Sequence, residues 1–266
     1  MRLASTLFCL VFAAPAVALG GAMERLEGSP RHHEWVEVPA GKGRAVRSYV
    51  VYPQAAGKRP AVVVIHENRG LTDWVRSFAD RLAEAGYVAV APDLLSGFDA
   101  ERAHTGDFAS SDAAREAISR LDAGQVTSDL RAVQRYAAAL PASNGATAAA
   151  GFCWGGAQSF RLAAHAPDLD AAFVFYGTGP QDEEVIRAIA APVYGFYASD
   201  DARVNATIAE TRRLMDLHGK TYEVEIYEGT GHGFMRQADE PDAAAGLRAA
   251  SEAAWERLTR LLATLE

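Results

Sequence analysis

The sequence predicts an α/β fold in which helices flank both faces of a mostly parallel sheet. Short apolar runs alternate along the chain with longer amphipathic segments, which is the order that βαβ units require. Ala61–His66 is a continuous apolar run rich in β-branched residues, as expected of a strand buried on both faces. The 266 residues contain no internal repeat and no long linker, and they are within the range of one domain.

The predicted elements follow one another from residue 34 onward. The predicted strands are Glu34–Val38, Val46–Tyr52, Ala61–His66, Tyr87–Ala91, Thr147–Phe152, Ala171–Tyr176, Pro192–Ala198 and Tyr222–Tyr227. The predicted helices are Asp73–Ala85, Asp112–Leu121, Val126–Leu140, Gly155–Ala166, Glu183–Ala190, Asn205–His218 and Ala243–Leu265. Since ligands of open α/β sheets bind at the carboxyl ends of the strands, we expect the site in the turns that follow them.

The N-terminal residues have the pattern of an export signal. Arg2 precedes the apolar stretch Leu3–Val17, and Ala16-Val17-Ala18 offers a small-residue cleavage pattern. We therefore predict a cleaved signal at residues 1–18, a flexible lead-in at residues 19–33, and a single domain at residues 34–266. Export to the periplasm or the medium would remove Cys9 and leave Cys153 as an unpaired thiol in an oxidising compartment.

The composition and the net charge limit the kinds of molecule that we expect this protein to bind. The net charge of −8 gives no basic footprint for nucleic acid or for an anionic membrane. The histidines have no metal-ligand spacing, and no glycine loop of the dinucleotide type is present. We expect a monomer that acts on a small molecule without a metal or another cofactor.

The strongest chemical signal is the segment Gly151-Phe152-Cys153-Trp154-Gly155-Gly156. It fits the G-x-nucleophile-x-G pattern between a strand and a helix, which is the nucleophile elbow of the α/β-hydrolases. Glycines on either side allow the sharp turn, and the positive end of the following helix favours a thiolate. The alternative is a buried structural cysteine in a glycine-rich turn.

Candidate partners for the cysteine follow in the chain order nucleophile, acid, histidine. Asp201 comes after the strand at Pro192–Ala198, and His232 lies in a glycine-rich loop after the last strand. The histidine would transfer protons while the carboxylate fixes its tautomer. Asp200 in the same loop remains an alternative to Asp201.

The loop after the first buried strand is predicted to complete the oxyanion hole. The backbone N–H groups of Asn68 and Trp154 are the expected donors. Glu67 in this loop is a carboxylate near the cysteine, and its negative charge would disfavour a second negative charge on the sulfur.

The chain resembles the dienelactone hydrolase family (carboxymethylenebutenolidases) from about residue 35 to the C-terminus. The resemblance rests on five segments, which are His66–Leu71, Gly86–Leu94, Gly151–Gly156, Asp201–Ala206 and Gly231–Phe234. It implies an α/β-hydrolase fold, a Cys153–His232–Asp201 triad, and a Glu67 that helps to generate the thiolate when substrate binds.

The resemblance also implies arginines that hold a substrate carboxylate. Arg236 matches one of them, whereas Gly97 stands where the other is expected. Arg69 and Phe234 are further candidates for the pocket, and Arg102 is a candidate substitute for the missing arginine.

These observations predict a hydrolase that cleaves an ester or lactone through a cysteine acyl-enzyme. The alternative is a binding protein that keeps the fold without turnover, because a fold does not guarantee activity. A thiol redox protein is disfavoured because the mature chain would have no resolving cysteine.

Overall fold

The structure, a computed structural model, describes residues 21–41 and 43–266. Its centre is a sheet of eight strands in the order β1-β2-β4-β3-β5-β6-β7-β8. The strands are β1 His33–Gly41, β2 Arg44–Val51, β3 Arg59–Ile65, β4 Val88–Pro92, β5 Ser143–Phe152, β6 Ala171–Phe175, β7 Val193–Asp200 and β8 Tyr222–Gly231.

The direction of the strands confirms the predicted mostly parallel sheet. Among the strands of the described residues, only the pairs β1–β2 and β2–β4 are antiparallel, and the pairs from β4 through β3 to β8 are parallel. The residues of β3 that follow Arg59 are all buried, which explains their continuous apolar sequence. The carboxyl ends of the parallel strands therefore meet along one edge of the sheet.

Helices cover both faces of this sheet. They are α1 Ala22–Glu27, α2 Asp73–Glu84, α3 Ser111–Ser119, α4 Ala123–Ala139, α5 Trp154–His165, α6 Glu183–Ala188, α7 Ala202–Leu217, α8 Phe234–Gln237 and α9 Ala245–Leu262. One core cluster packs α2 and α9 against one face, and a second packs α4, α5 and α7 against the other. In the described part of the chain, no helix combines the length and apolar character needed to cross a bilayer.

The segment before β1 differs from the flexible lead-in that we expected at residues 19–33. It contains α1, whose Leu26 is buried, and Arg31 donates two hydrogen bonds to Asp80 of α2, from Nε to Oδ1 at 2.9 Å and from Nη2 to Oδ2 at 2.6 Å. The Asp80 side chain is fully buried, so it requires a cationic partner. A helix of six residues is too short to show a clear period in the sequence. The predicted signal at residues 1–18 lies outside the described residues.

Candidate active site

Cys153 occupies a strained turn between β5 and α5. Its φ of 55° is in the left-handed region, which is uncommon for a residue other than glycine. A Cβ on Gly151 would lie 2.0 Å from the carbonyl oxygen of Gly155, and a Cβ on Gly155 would lie 2.4 Å from the carbonyl oxygen of His66. The two glycines are therefore required by the backbone contacts of the turn, as the elbow prediction expects.

His232 and Asp201 lie beside the elbow. Asp201 follows β7 and begins α7, while His232 follows β8, and the Nδ1 of His232 lies 2.5 Å from the Oδ2 of Asp201. The hydrogen bond with Cys153 and, after it, the one with Asp201 raise the pKa of His232 to about 9, although burial acts in the opposite direction. Asp200 is exposed at the end of β7. The geometry thus favours Asp201 over Asp200 as the partner of the histidine.

The two candidate oxyanion donors line the same cavity as Cys153. Trp154 is the first residue of α5, where backbone N–H groups have no partner within the helix. Within residues 21–41 and 43–266, the N–H of Asn68 donates to no backbone or side-chain acceptor. Both donors are therefore available to a ligand.

His66 is fully buried below this loop and supports it. Its Nδ1 donates to the carbonyl oxygen of Glu67 at 2.7 Å, its Nε2 accepts from the Leu94 N–H at 3.2 Å, and its ring stacks on Trp154. Burial lowers the pKa of His66, so the ring is a neutral structural group.

Glu67 and Arg236, which we expected to have separate roles, form an ion pair with each other. The Nε of Arg236 donates to the Oε2 of Glu67 at 2.9 Å, and the Glu67 side chain is only 7% exposed. This contact compensates much of the charge of the Glu67 carboxylate. It also occupies one donor of the arginine that was expected to hold a substrate.

A cavity of about 520 Å³ opens above Cys153. Its lining residues are Asn68, Arg115, Ile118, Ser119, Cys153, Trp154, Ala157, Thr178 and Arg203. Arg115 and Arg203 were not among the sequence-based candidates. Arg203 could have been noted because it follows Asp201 by two residues, whereas nothing in the local sequence of α3 distinguishes Arg115.

The remaining substrate-binding candidates do not line this cavity. Phe234 is fully buried in the core, where its ring packs against Tyr176 and Tyr227, and this corrects its prediction as a pocket residue. Its apolar side chain completes an aromatic cluster behind the histidine. Arg69 is half-buried outside the cavity, and Arg102 is paired with Asp99.

Tyr176 is a site residue that the sequence reasoning missed. It follows β6, its φ is 40°, and the edge of its ring faces His232 at 5.2 Å between ring centroids. In the sequence it is indistinguishable from the core aromatics that end a strand. In the part of the chain that the structure describes, no group of three or more His, Cys, Asp or Glu side chains is arranged to hold a metal ion.

The fold and the site together define the class of protein. A cysteine on a strained turn after β5, an aspartate after β7 and a histidine after β8, carried on a mostly parallel sheet, occupy the positions of the nucleophile, acid and histidine of an α/β-hydrolase. The chain belongs to the dienelactone hydrolase family, whose family model matches residues 46–265. The resemblance seen in the sequence is thereby confirmed, and the protein is a carboxylic ester hydrolase.

Relatives of known name are similar over most of their length. One from Saccharolobus solfataricus, named carboxymethylenebutenolidase, is 28% identical in an alignment 250 positions long that covers 83% of this chain and 94% of the relative. One of the same name from Escherichia coli K12 is 30% identical in an alignment 192 positions long that covers 68% of this chain and 69% of the relative. A Bradyrhizobium relative, named 2-oxo-3-(5-oxofuran-2-ylidene)propanoate lactonase, is 29% identical and covers 79% of this chain and 88% of its own length.

Solved structures described as dienelactone hydrolases have the same fold as this chain. A crystal structure described as a dienelactone hydrolase from Klebsiella pneumoniae superposes with a TM-score of 0.75 at 26% identity, covering 88% of this chain and 98% of its own. The dienelactone hydrolase of Anabaena variabilis, at 17% identity and a TM-score of 0.63, covers 85% of this chain and 96% of its own and shares the fold.

Proposed function

We propose that this protein cleaves an ester or lactone by two-step acyl transfer, with Cys153 as nucleophile, His232 as proton carrier and Asp201 as the acid that orients it. The observation that supports this most directly is the hydrogen bond between Asp201 and His232 beside a cysteine on a strained turn, whose interaction with His232 is the largest cause of the raised pKa of that ring. A structural cysteine would need neither the strain nor the paired histidine.

In the first step the Cys153 thiolate attacks the carbonyl carbon. The N–H groups of Asn68 and Trp154 hold the negative charge that develops on the carbonyl oxygen. The C–O bond of the ester then breaks, and His232 donates its proton to the leaving oxygen. The product of this step is a thioester on Cys153.

In the second step His232 takes a proton from water, which attacks the thioester carbonyl. The C–S bond breaks, the acid leaves, and the sulfur returns to the thiolate. Enol and phenol esters suit this site best, since a thiolate is itself a good leaving group and would be expelled again from the tetrahedral intermediate of a poorly activated alkyl ester.

The cavity favours a substrate that carries a negative charge. Arg115 and Arg203 both line it, and Arg236 is held in its pair with Glu67. The name of the Bradyrhizobium relative describes a propanoate, which is a carboxylate. A substrate carboxylate that competes for Arg236 would release Glu67 and change the charge beside the sulfur.

The test uses the purified protein with p-nitrophenyl acetate, which is neutral, and mono-p-nitrophenyl succinate, which carries a carboxylate. We expect release of nitrophenol from both esters, a higher kcat/KM for the succinate ester, and loss of both activities in Cys153→Ala. Intact-mass measurement of His232→Ala should show slow accumulation of a single acyl group. Unchanged hydrolysis by Cys153→Ala would refute the cysteine mechanism, and stoichiometric acylation of the wild type without turnover would favour the non-catalytic alternative.

We also propose that the protein is exported, on the basis of the signal-like pattern at residues 1–18. N-terminal sequencing of the protein produced in a bacterial host should then begin near Leu19. Recovery of the chain with Met1 intact from the cytoplasm would contradict this proposal.

A further inference from the structure

A second cavity, of about 240 Å³, is lined by residues of α4 and α5. Its lining residues, which together we call the arginine groove, are Gly124, Thr127, Ser128, Arg131, Arg135, Arg161 and His165. Arg161 lies more than two turns of α5 beyond Cys153, or roughly 12 Å along the helix axis. The arginine groove is therefore separate from the cavity above the proposed nucleophile.

The arginine groove concentrates positive charge that no carboxylate compensates. Its lining contains three arginines and no acidic residue, and none of the three forms an ion pair within residues 21–41 and 43–266. Arg131 and Arg135 are about one turn apart on α4, where like charges repel each other and destabilise the helix. An anion in the groove would offset this repulsion.

The acidic residues in this part of α4 have other partners. The Asp122 carboxylate accepts from the Gln125 N–H at 2.7 Å and so caps the helix. Asp129 is buried and pairs with Arg44 of β2, whose Nε lies 2.9 Å from the Oδ2 of the aspartate. Neither carboxylate lines the arginine groove, so the positive charge there is left for a ligand.

A cavity at α2 and α9, on the other face of the sheet, is lined differently. Arg25, Arg81 and Arg248 line it, but Asp239 and Glu252 line it as well. The Nη2 of Arg81 lies 2.6 Å from the Oε2 of Glu252. In that cavity the chain itself supplies the negative charge, whereas in the arginine groove it does not.

One arginine of the groove is already held in place. The Nε of Arg161 donates to the Oγ1 of Thr127 at 2.6 Å, and Thr127 is buried. The carbonyl oxygen of Arg161 accepts from the Nδ1 of His165 at 2.8 Å. The terminal N–H groups of Arg161 donate to no acceptor in the part of the chain that the structure describes. Because this side chain is fixed before a ligand arrives, binding costs less conformational entropy.

We propose that the arginine groove binds a phosphate group, either as the free ion or as a phosphate monoester. A phosphate monoester carries about −1.5 to −2 charges near neutral pH and offers three strong acceptor oxygens. Guanidinium groups bind such oxygens through pairs of parallel hydrogen bonds. The cavity is smaller than the roughly 300–1,000 Å³ of sites for drug-sized ligands, which suits a small anion. This site lies outside the proposed hydrolysis and does not depend on it.

The test measures binding of inorganic phosphate and of glycerol 3-phosphate by isothermal titration calorimetry at low ionic strength, where screening is weakest. Arg131→Gln/Arg135→Gln should bind both ligands at least about tenfold more weakly than the wild type, because it loses charge-assisted hydrogen bonds. Its rate of p-nitrophenyl acetate hydrolysis should equal that of the wild type, since both arginines are exposed and lie outside the cavity above Cys153. Equal hydrolysis also shows that the variant is folded.

Arg115→Gln/Arg203→Gln is the matched control. It removes the same amount of charge from the cavity above Cys153, which is also lined by two arginines. This variant should bind both phosphate ligands with the affinity of the wild type. Loss of binding in this control, with binding retained in Arg131→Gln/Arg135→Gln, would place the anion above Cys153 and overturn the inference.

A third measurement distinguishes a lipid headgroup from a soluble ligand. Wild type and Arg131→Gln/Arg135→Gln are sedimented with phosphatidylcholine vesicles that contain phosphatidic acid, whose headgroup is a phosphate monoester. Binding to vesicles alone that is lost in the variant would assign the site to a lipid, and binding of the soluble ligands would assign it to a free anion. Absence of binding in all three measurements, or equal binding by wild type and variant, would overturn the inference.

Discussion

Two ion pairs, each formed by a carboxylate and a cationic group, lie in the region of Cys153, and their contacts differ. Asp201 pairs with His232 and Glu67 pairs with Arg236, and both carboxylates are nearly buried. The interaction with Cys153 is the largest cause of the raised pKa of His232, so the first pair lies beside the proposed nucleophile. In the second pair Arg236 and Glu67 bond each other, whereas the arginines that line the cavity are other residues. The proposed function therefore assigns the chemistry to the first pair and a response to the ligand to the second.

The largest expected effect comes from breaking the first pair. Asp201→Asn should lower kcat by about ten-thousand-fold, because the amide would favour the wrong tautomer of His232 while keeping its shape. Steady-state hydrolysis of p-nitrophenyl acetate measures this loss. Asp200→Asn, at the exposed neighbouring position, should change kcat less than about threefold. The reverse ranking would assign the acid to Asp200.

Breaking the second pair should cost stability. Arg236→Met leaves Glu67 as an uncompensated buried carboxylate and should lower the free energy of unfolding by about 3–5 kcal/mol at neutral pH. Urea unfolding followed by circular dichroism gives this quantity. The double variant Glu67→Gln/Arg236→Met should recover most of the loss. Equal stability of the single and double variants would show that the pair is not required in the folded state.

A smaller effect should appear at the sulfur. Glu67→Gln removes a negative charge near Cys153, so iodoacetamide should alkylate the thiol faster near neutral pH, by about tenfold or less because Arg236 already offsets that charge. Oxidation by peroxide should be faster in the same variant, and turnover of substrate slower. Alkylation rates that match the wild type across the pH range would leave Glu67 without influence on the thiol.

The smallest effect concerns the pH dependence. Because the pKa of His232 is raised to about 9, the ring keeps the proton needed by the leaving group until the pH passes this value. We therefore expect kcat/KM to fall as the pH rises through about 9, and the stabilisation from the raised pKa to be lost progressively between pH 6.5 and about 9. Asp201→Asn should move the falling limb of the kcat/KM profile to lower pH, although only in part, because the hydrogen bond with Cys153 is the larger cause. If the falling limb of the kcat/KM profile stays at the same pH in this variant, Asp201 does not contribute to the raised pKa of His232.

Much of the fold could be predicted from the sequence because its signals are local. The apolar run of β3 and the glycines around Cys153 act through neighbouring residues, and the predicted elements agree with the structure to within a few residues at most ends. His232 and Asp201 were accessible for a related reason, since the carboxyl ends of parallel strands must lie along one edge.

Contacts between distant residues could not be predicted in the same way. Glu67 and Arg236 are 169 positions apart, and each taken alone is an ordinary polar residue in a loop or short helix. Phe234 was predicted to lie in the pocket because it follows His232 by two positions in the sequence. Its side chain turns into the core instead. The direction of a side chain in a turn depends on backbone angles that the order of residues does not reveal.

The contact between Arg31 and Asp80 limits how far the N-terminus of a recombinant protein can be shortened. Asp80 accepts from Arg31 and from the hydroxyl of Ser29, and its side chain has no exposure to solvent. A shortened protein that begins at Glu34 would keep every strand from β2 onward together with Cys153, Asp201 and His232, yet it would bury a carboxylate without its counter-ion. A boundary between Ser29 and Glu34 would therefore weaken the attachment of α2 to the rest of the enzyme.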